Sequence, residues 1–409
     1  MFYSKWETEE SIVGNLVKLD KKSASIPIIK NEKGIFGLNK DNHNMIIGSD
    51  AMENLECVTM PFLKSIINAG ESFLINDTSG KVYKNMHGEL NGYNKVVINF
   101  NNLKDSDSFN PLYVPYTLYK TNKDKALRML EDVGYYLLND GKIEGDPFWE
   151  NTSIDYFCGL TMYLFETKDL VSIKDVFDLS TSILENNSKD EFLNNIDKKS
   201  DIYAYLVGTM NTAKETYQSI LSVFHQKIKK YVVGDIVDLL RNDNYNMNNI
   251  LNKKSAIFII GGIDNFSSHI VPLITSQLSI LCEINKNSKR IEIILDDFDS
   301  LLAIRDFARI LKYSSITDIR YTVIASSYKT IINKYGSETF VILELCFPNL
   351  IYLLSNNMDT LKKISKYCGN INENGKDMPL VSTTELKHFK YGDAIIIIPR
   401  YYPFKTNLL

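Results

Sequence analysis

Short apolar runs alternate with helix-period segments near both ends of the chain, while a long stretch between them carries helix periodicity alone. Residues 45–47 are one such run, closed by Gly48, and predict a buried strand. Residues 55–67 follow, with Leu55, Val58, Phe62, Leu63 and Ile66 at helical spacing. A second strand is expected at 71–76, ending in the turn signal Asp77-Thr78-Ser79-Gly80. A short helix at 82–86 and a third strand at 95–100 continue the rhythm, which predicts a mostly parallel, doubly wound α/β sheet.

From about 120 to 252 the pattern changes. Ala126, Met129, Leu130, Val133 and Leu137 recur at helix spacing, as do Tyr156, Leu160, Tyr163 and Leu164, and no strand signal stands out. Strand signals resume at 256–260, 291–295, 321–325 and 394–398, with helices expected at 268–283 and 301–312. Segments 340–345 and 349–355 are apolar, and periodicity does not decide their type. Ahead of the first strand, Trp6, Ile12 and Leu16 sit at helix-like spacing behind Glu7, Glu9 and Glu10. The expected organisation is a lead-in over 1–40, an α/β domain over 41–119 and 253–409, and an all-α insert over 120–252.

Composition narrows the classes little. With 44% apolar and 23% charged residues, the 409-residue chain can bury a large core. A net charge of −4 gives no global basic footprint for nucleic acid. Five scattered cysteines (Cys57, Cys158, Cys282, Cys346, Cys368) form no C-x-x-C pair and read as free thiols of a reducing compartment. The charged first residues lack the apolar core of a signal peptide, and no run is long enough to span a bilayer, so the expectation is a cytoplasmic protein without a transmembrane segment.

The candidate chemistry lies at two strand ends. Gly48 to Leu55 occupies the place of a phosphate-binding loop, strand before and helix after. Such a loop reads G-x-x-x-x-G-K-[ST], its backbone N–H groups and Lys cradling phosphates and its hydroxyl holding Mg²⁺. Here Ser49, Asp50, Ala51 and Met52 fill the variable positions, Glu53 stands for the second Gly, Asn54 for the Lys and Leu55 for the Ser/Thr. The second element is IEIILDDFDSL at 291–301, an apolar strand running into acids. There Asp296 is the candidate Mg²⁺ ligand and Asp297 the group that would orient an attacking water.

Other features are weaker. Gly80-Lys81 and Gly375-Lys376 lack the spacing of a phosphate loop and read as turns. His43 and His225 read as structural histidines, Ser79, Ser326 and Ser327 lack a nucleophile-elbow setting, and Asp264 reads as a turn residue after Gly261-Gly262. The tyrosines and phenylalanines read as core rather than base-stacking groups.

In order along the chain, the boxes resemble one family, the type IV secretion coupling proteins (TraG/TraD-like conjugative DNA-transfer ATPases). FYSKWETEESI is similar to that family's S-A-R-W-A-T-x-E-E lead-in, and 44–66 stands where its phosphate loop lies. SFLINDTSGKVYKN resembles V-V-x-D-P-K-G-E-L-Y, retaining Asp77, Gly80 and Tyr83; DSFNPL resembles R-F-N-P-L, and GDPFWENTS resembles G-D-P-F-W-x-x-A. IILDDFDSL is similar to L-L-D-E-F-x-S-L, TVIASSYKTIINKYG to V-x-x-Q-S-x-x-Q-L-x-x-x-Y-G, and 382–398 to a closing E-L-x-x-L-x-x-G-x-A-I-V.

The resemblance implies a RecA-like P-loop NTPase core interrupted by an all-α domain. It also implies a ring, usually hexameric, at the cytoplasmic mouth of a conjugative channel, recruiting relaxase-bound DNA and using ATP with Mg²⁺. The family's N-terminal membrane helices are not expected here. The departures fall on the ATP-handling positions: Asn54 and Leu55 in the loop, Asp297 for the usual Glu, and Ser326 where the family places a γ-phosphate-sensing Gln. The expectation is therefore a degenerate, non-hydrolysing member that needs no cofactor and acts as a structural or adaptor subunit. The alternative is an active ATPase in which Lys64 or Lys81 supplies the missing charge and Arg305 or Arg309 acts across a ring interface.

Overall fold

The computed structural model describes residues 3–409 except 140, 142–145, 243–246, 262–265, 286–288 and 374. Asp264 and Gly145, which opens the GDPFW box, lie outside the described residues. The strands in chain order are β1 (Val17–Lys18), β2 (Pro27–Asn31), β3 (Gly34–Gly37), β4 (Asn44–Gly48), β5 (Ser72–Asp77), β6 (Asn94–Asn99), β7 (Ser255–Ile260), β8 (Ile291–Leu295), β9 (Ile319–Ala325), β10 (Asn349–Leu354), β11 (Asn370–Glu373), β12 (Lys376–Pro379), β13 (Asp393–Ile397) and β14 (Phe404–Asn407). Nine of them form one sheet in the order β14-β13-β10-β4-β9-β8-β5-β7-β6.

The middle of that sheet, from β10 to β7, is parallel, and β13 and β14 extend it antiparallel. Every residue of β4, β5, β7, β8 and β9 is buried, which is why these strands read as continuous apolar runs rather than alternating ones. The undecided apolar segments resolve differently: residues Ser337–Leu345 are helical, whereas 349–354 form β10.

The chain divides into two compact units. One comprises Met1–Val96, Asn248–Gly262 and Cys282–Leu409; the other comprises Val97–Met247 and Ile263–Leu281. The second is helical, with long members at Lys123–Leu138, Pro147–Thr167, Ile173–Glu185 and Lys214–Ile228. Its interior carries a polar chain in which Ser180 Oγ lies 2.9 Å from His225 Nε2 and 3.2 Å from the Tyr156 hydroxyl. Burial lowers the pKa of His225, so the imidazole is held neutral and structural.

Two features of the first unit escape the hydrophobic pattern. The lead-in is not one amphipathic helix. Its helix spans only Glu9–Val13, and a three-stranded antiparallel sheet, β1-β3-β2, follows. Strands of two to five residues are too short to build a period-two signal. The second feature is a buried ion pair across the parallel strands β8 and β9, where Glu292 and Arg320 are register partners. Arg320 Nε donates to Glu292 Oε2 at 2.6 Å, and Arg320 Nη2 lies 2.5 Å from Oε1, outside hydrogen-bond alignment. Arg320 also donates to the carbonyls of Lys40 and Ala24, and Arg290 donates to Lys40 O at 2.6 Å. The cluster thus ties the lead-in to the base of the sheet. Among the described residues, no helix is long and apolar enough to cross a membrane.

Candidate functional site

β4, β5, β8 and β9 are neighbours, so the ends of these parallel strands converge, the position where open α/β sheets hold ligands. A cavity of about 370 Å³ lies there, lined by Gly48, Ser49, Ala51, Met52, Asn54 and Leu55 from the loop and helix after β4. Asp77 to Ser79 and Lys81 line it from the β5 end, Asp296, Asp297 and Asp299 from the β8 end, and Ser326 from the β9 end. The two strand-end elements expected from sequence, and Ser326, therefore face one space.

The loop is short. β4 ends at Gly48 and the helix begins at Ala51, leaving only Ser49 and Asp50 between them. Asp50 caps that helix, its Oδ1 accepting from Met52 N at 2.9 Å and Glu53 N at 3.1 Å. Ser49 N donates to Leu354 O of β10 at 3.0 Å. The helix continues through a π-helical turn at Leu55–Thr59 into Met60–Ala69. Pro61, which has no N–H to donate, is the second residue after that turn, and Gly70 ends the helix at φ +72° in a left-handed cap.

The residues at the expected phosphate-loop positions make other contacts. Glu53 does not enter the cavity. It is 3% exposed, and its Oε1 accepts from Gly392 N at 2.7 Å; burial raises its pKa. Gly392 adopts φ +85°, open to glycine at little strain. Asn54 Nδ2 donates to Gly48 O at 2.9 Å, and its Oδ1 lies over the Gly48 Cα. A Cβ at Gly48 would fall 1.8 Å from that oxygen. Gly48→Ala is accordingly expected to destabilise by about 1–3 kcal/mol, and Asn54→Ala in the same chain to recover part of the loss. Equal denaturation midpoints for Gly48→Ala and wild type would contradict this contact.

At the β8 end, Asp297 is exposed and left-handed at φ +53°, a conformation Asp tolerates better than most residues. Its N–H donates to Asp296 Oδ1 at 2.9 Å. Burial, with Asp297 and Asp77 nearby, pushes the Asp296 pKa up to about 6, and burial raises Asp77 as well. Asp77 accepts from Tyr83 N at 2.8 Å and so orders the turn into the helix Lys81–Met86. Among the described residues, no three His, Cys, Asp or Glu side chains gather in metal-holding geometry.

Sequence reasoning missed four contributors. Thr59 Oγ1 reaches Asp296 Oδ2 at 3.5 Å, and Asn76 Nδ2 donates to Asp296 O. Asp299 Oδ2 accepts from Ser326 N at 2.7 Å, and Lys334 donates to Phe298 O. Burial lowers the Lys334 pKa to about 8, against the pull of Asp299 and Asp297. Asn76, a polar residue inside an apolar strand, was the one readable signal. Lys64 lines a separate groove with Ile28, Ile35 and Leu408, not this cavity. Arg309 pairs with Asp306 at 3.3 Å, and neither Arg309 nor Arg305 lines the cavity.

Comparison with known proteins agrees with this geometry. None of the curated proteins matches. Among solved structures, the plasmid coupling protein TrwB in complex with the non-hydrolysable ATP analogue ADPNP superposes with a TM-score of 0.72 at 13% identity, over 100% of this chain and 94% of that one. TrwB in complex with ADP and Mg²⁺ matches equally, with a TM-score of 0.72 at 13% identity, again over 100% and 94%. VirB4 of Thermoanaerobacter pseudethanolicus follows with a TM-score of 0.57 at 13% identity, over 94% of this chain and 96% of that one. The fold is thus the RecA-like P-loop NTPase fold, with an all-α domain interrupting a mostly parallel sheet. The family model described as type IV secretory system conjugative DNA transfer matches residues 5–383, and the chain belongs to that family of conjugative DNA-transfer coupling proteins.

Proposed function

We propose that this protein is a non-hydrolysing member of the coupling-protein family, acting as a structural or adaptor subunit of a conjugative transfer machine. The observation that carries the reading is the start of the helix at Ala51. A phosphate loop needs its variable residues unwound so that their N–H groups surround the anion. Here Met52 and Glu53 N–H groups are spent on Asp50, and Ser49 N on β10. Asn54 and Leu55 supply neither the cation nor the hydroxyl, and Asp77, Asp296, Asp297 and Asp299 face the space that phosphates would fill. The residues present do not fit Mg²⁺–nucleotide. TrwB, by contrast, was solved with ADPNP and with ADP and Mg²⁺.

The deciding experiment is a titration with fluorescent ATP and Mg²⁺, for which no saturable binding below millimolar nucleotide is expected. Restoring side chains alone is expected to fail too: Asn54→Lys with Leu55→Ser leaves the short loop in place. Micromolar affinity in either protein, with turnover that Asp296→Ala abolishes, would establish the rival reading instead. That rival is favoured only by Lys81, the one cation among the lining residues, and it would make Asp296 the Mg²⁺ ligand and Asp297 the water-positioning acid.

On the proposed reading the subunit sits on the cytoplasmic side within a homo- or hetero-oligomeric ring of secretion components, with 41–119 and 253–409 as its core and 120–252 as the insert. Contact with DNA or a relaxase would be an assembly function. A salt-dependent shift of single-stranded DNA separates it from a general interaction module, because phosphate contacts weaken steeply with salt.

A further inference from the structure

Two sheet edges of the first unit open onto one groove of about 510 Å³. It is lined by residues 27–30 of β2, the outer strand of the three-stranded sheet, and by residues 407–409 at the end of β14, the outer strand of the nine-stranded sheet. The helix Met60–Ala69 contributes Lys64 and Ser65, and Ser25 N donates to Ser65 Oγ at 3.2 Å, which holds the small sheet against that helix. Leu408 N donates to Gly392 O across the β13–β14 pair at 2.8 Å, so the alternate residues Lys405 and Asn407 turn their backbone N–H and C=O groups away from β13. Likewise Ile35 O accepts from Leu19 N on the β1 side at 2.8 Å, so Lys30, opposite Ile35 on β2, turns its own groups away from β3. The β14 edge already takes one donor from outside the sheet, because Glu7 N reaches Pro403 O at 2.9 Å just ahead of the strand. Beyond that contact, the outward backbone groups of Lys405 and Asn407 have no hydrogen-bond partner among the described residues.

The charge around these open edges has one sign. Lys30 and Lys64 line the groove, no Asp or Glu is among the described residues that do, and Lys405 adds a third positive charge on β14. Neither Lys30 nor Lys64 has an ion-pair or hydrogen-bond partner for its side chain among the described residues. A second copy of this chain paired edge to edge about a two-fold axis would set lysines against lysines, which is unfavourable. We propose that this groove docks an extended, acidic segment of a partner protein, which adds a strand to the open edge of β14. Main-chain groups of the edge bind any extended chain, and the surrounding side chains choose among partners. Here Leu19, Ile35 and Leu408 suit apolar residues on one face of such a segment, and Lys30 and Lys64 suit its carboxylates. A docked helix would leave the edge unpaired. The groove works the same way whether or not nucleotide binds, because it shares no lining residue with the strand-end cavity.

The probe is the peptide Thr-Val-Glu-Val-Glu-Val-Thr, amidated and carrying a dye at its N-terminus, with valines on one face of the strand and glutamates on the other. Titration with the full-length protein, followed by fluorescence anisotropy, is expected to show saturable binding. Replacing both glutamates of the peptide by glutamine is expected to weaken it about fivefold, and so is Lys30→Gln with Lys64→Gln in the protein. Both lysines are exposed, so that variant keeps its fold. N-methylation of one alternate set of peptide amides, which removes the donors that pair with the edge and keeps every side chain, is expected to abolish binding. No saturable binding, equal affinity for the glutamine peptide, or full affinity in the lysine variant would each overturn the proposal. Binding that survives methylation of either alternate set would overturn strand addition. A dimer in sedimentation that Ile35→Gln, at an exposed position, disperses would overturn the proposal in favour of a second copy.

Discussion

Glu292→Leu is expected to lower the stability of the protein by about 3–5 kcal/mol, among the largest losses any single substitution in this sheet should produce. Glu292 is 0% exposed and Arg320 1% exposed, so removing the carboxylate leaves a buried guanidinium without its counter-charge. Arg290, 3.6 Å from the same carboxylate, loses a partner as well. The loss should not be read as the strength of the pair. Taking both charges from water already consumed most of their mutual attraction, so Glu292→Leu with Arg320→Met should lie much closer to wild type. The double variant also frees the Ala24 carbonyl, which Arg320 satisfies, while Lys40 O keeps Arg290 as a donor, so some deficit remains. Urea unfolding of both variants checks this. A single variant within about 1 kcal/mol of wild type would mean that the cluster is hydrated or relaxes on substitution.

Acidification should destabilise the fold through His43. Tyr321 N donates to His43 Nδ1 at 3.0 Å, which places the ring proton on Nε2, 2.7 Å from Ser314 Oγ and 3.2 Å from Leu311 O. Burial, reinforced by the charges of Arg320 and Arg290, pushes its pKa down to about 4, although the Leu311 carbonyl pulls the other way. Because the folded state holds the neutral form, the unfolded chain binds the extra proton first. The stability it confers is complete above the unfolded value of about 6.5 and is lost as pH falls towards 4, by about 3 kcal/mol in total. Glu71, raised to about 7 by burial and by Glu292, has the opposite slope, losing stability as pH rises from its unfolded value. The informative measurement is therefore the difference between wild type and His43→Gln across pH 4 to 7.5. That difference should shrink with acid, and a flat difference would sink the assignment.

The alternating strands and helices were readable because a parallel sheet covered on both faces needs uninterrupted apolar runs, and β4, β5, β7, β8 and β9 have them. The helical unit was readable for the complementary reason, with long stretches at one period. Polar groups that work in the interior were not readable. Glu292 looks like an interruption of an apolar strand until Arg320 is found beside it in the neighbouring strand, a pairing fixed by register rather than by sequence distance. Thr59 and Asn76 reach Asp296 from segments more than 200 residues away. At the loop, the substituted residues could be named from the sequence, but not their directions. Glu53, which reads in sequence as a carboxylate placed where anions should dock, turns to Gly392.

That contact between Glu53 and Gly392 bears on how the loop could change. If the nucleotide function has lapsed, its residues have been rewired into the scaffold, and each step back meets a separate penalty. Glu53→Gly would unpair Gly392 N and place a glycine in a helix, at about 1 kcal/mol for the glycine alone. Asn54→Lys would unpair the Gly48 carbonyl. Neither substitution lengthens the loop, so neither yields phosphate affinity in exchange. In sequence space the site behaves as a ratchet: the neighbouring sequences on the route back are less stable and equally silent, and selection on single substitutions has no gradient to follow.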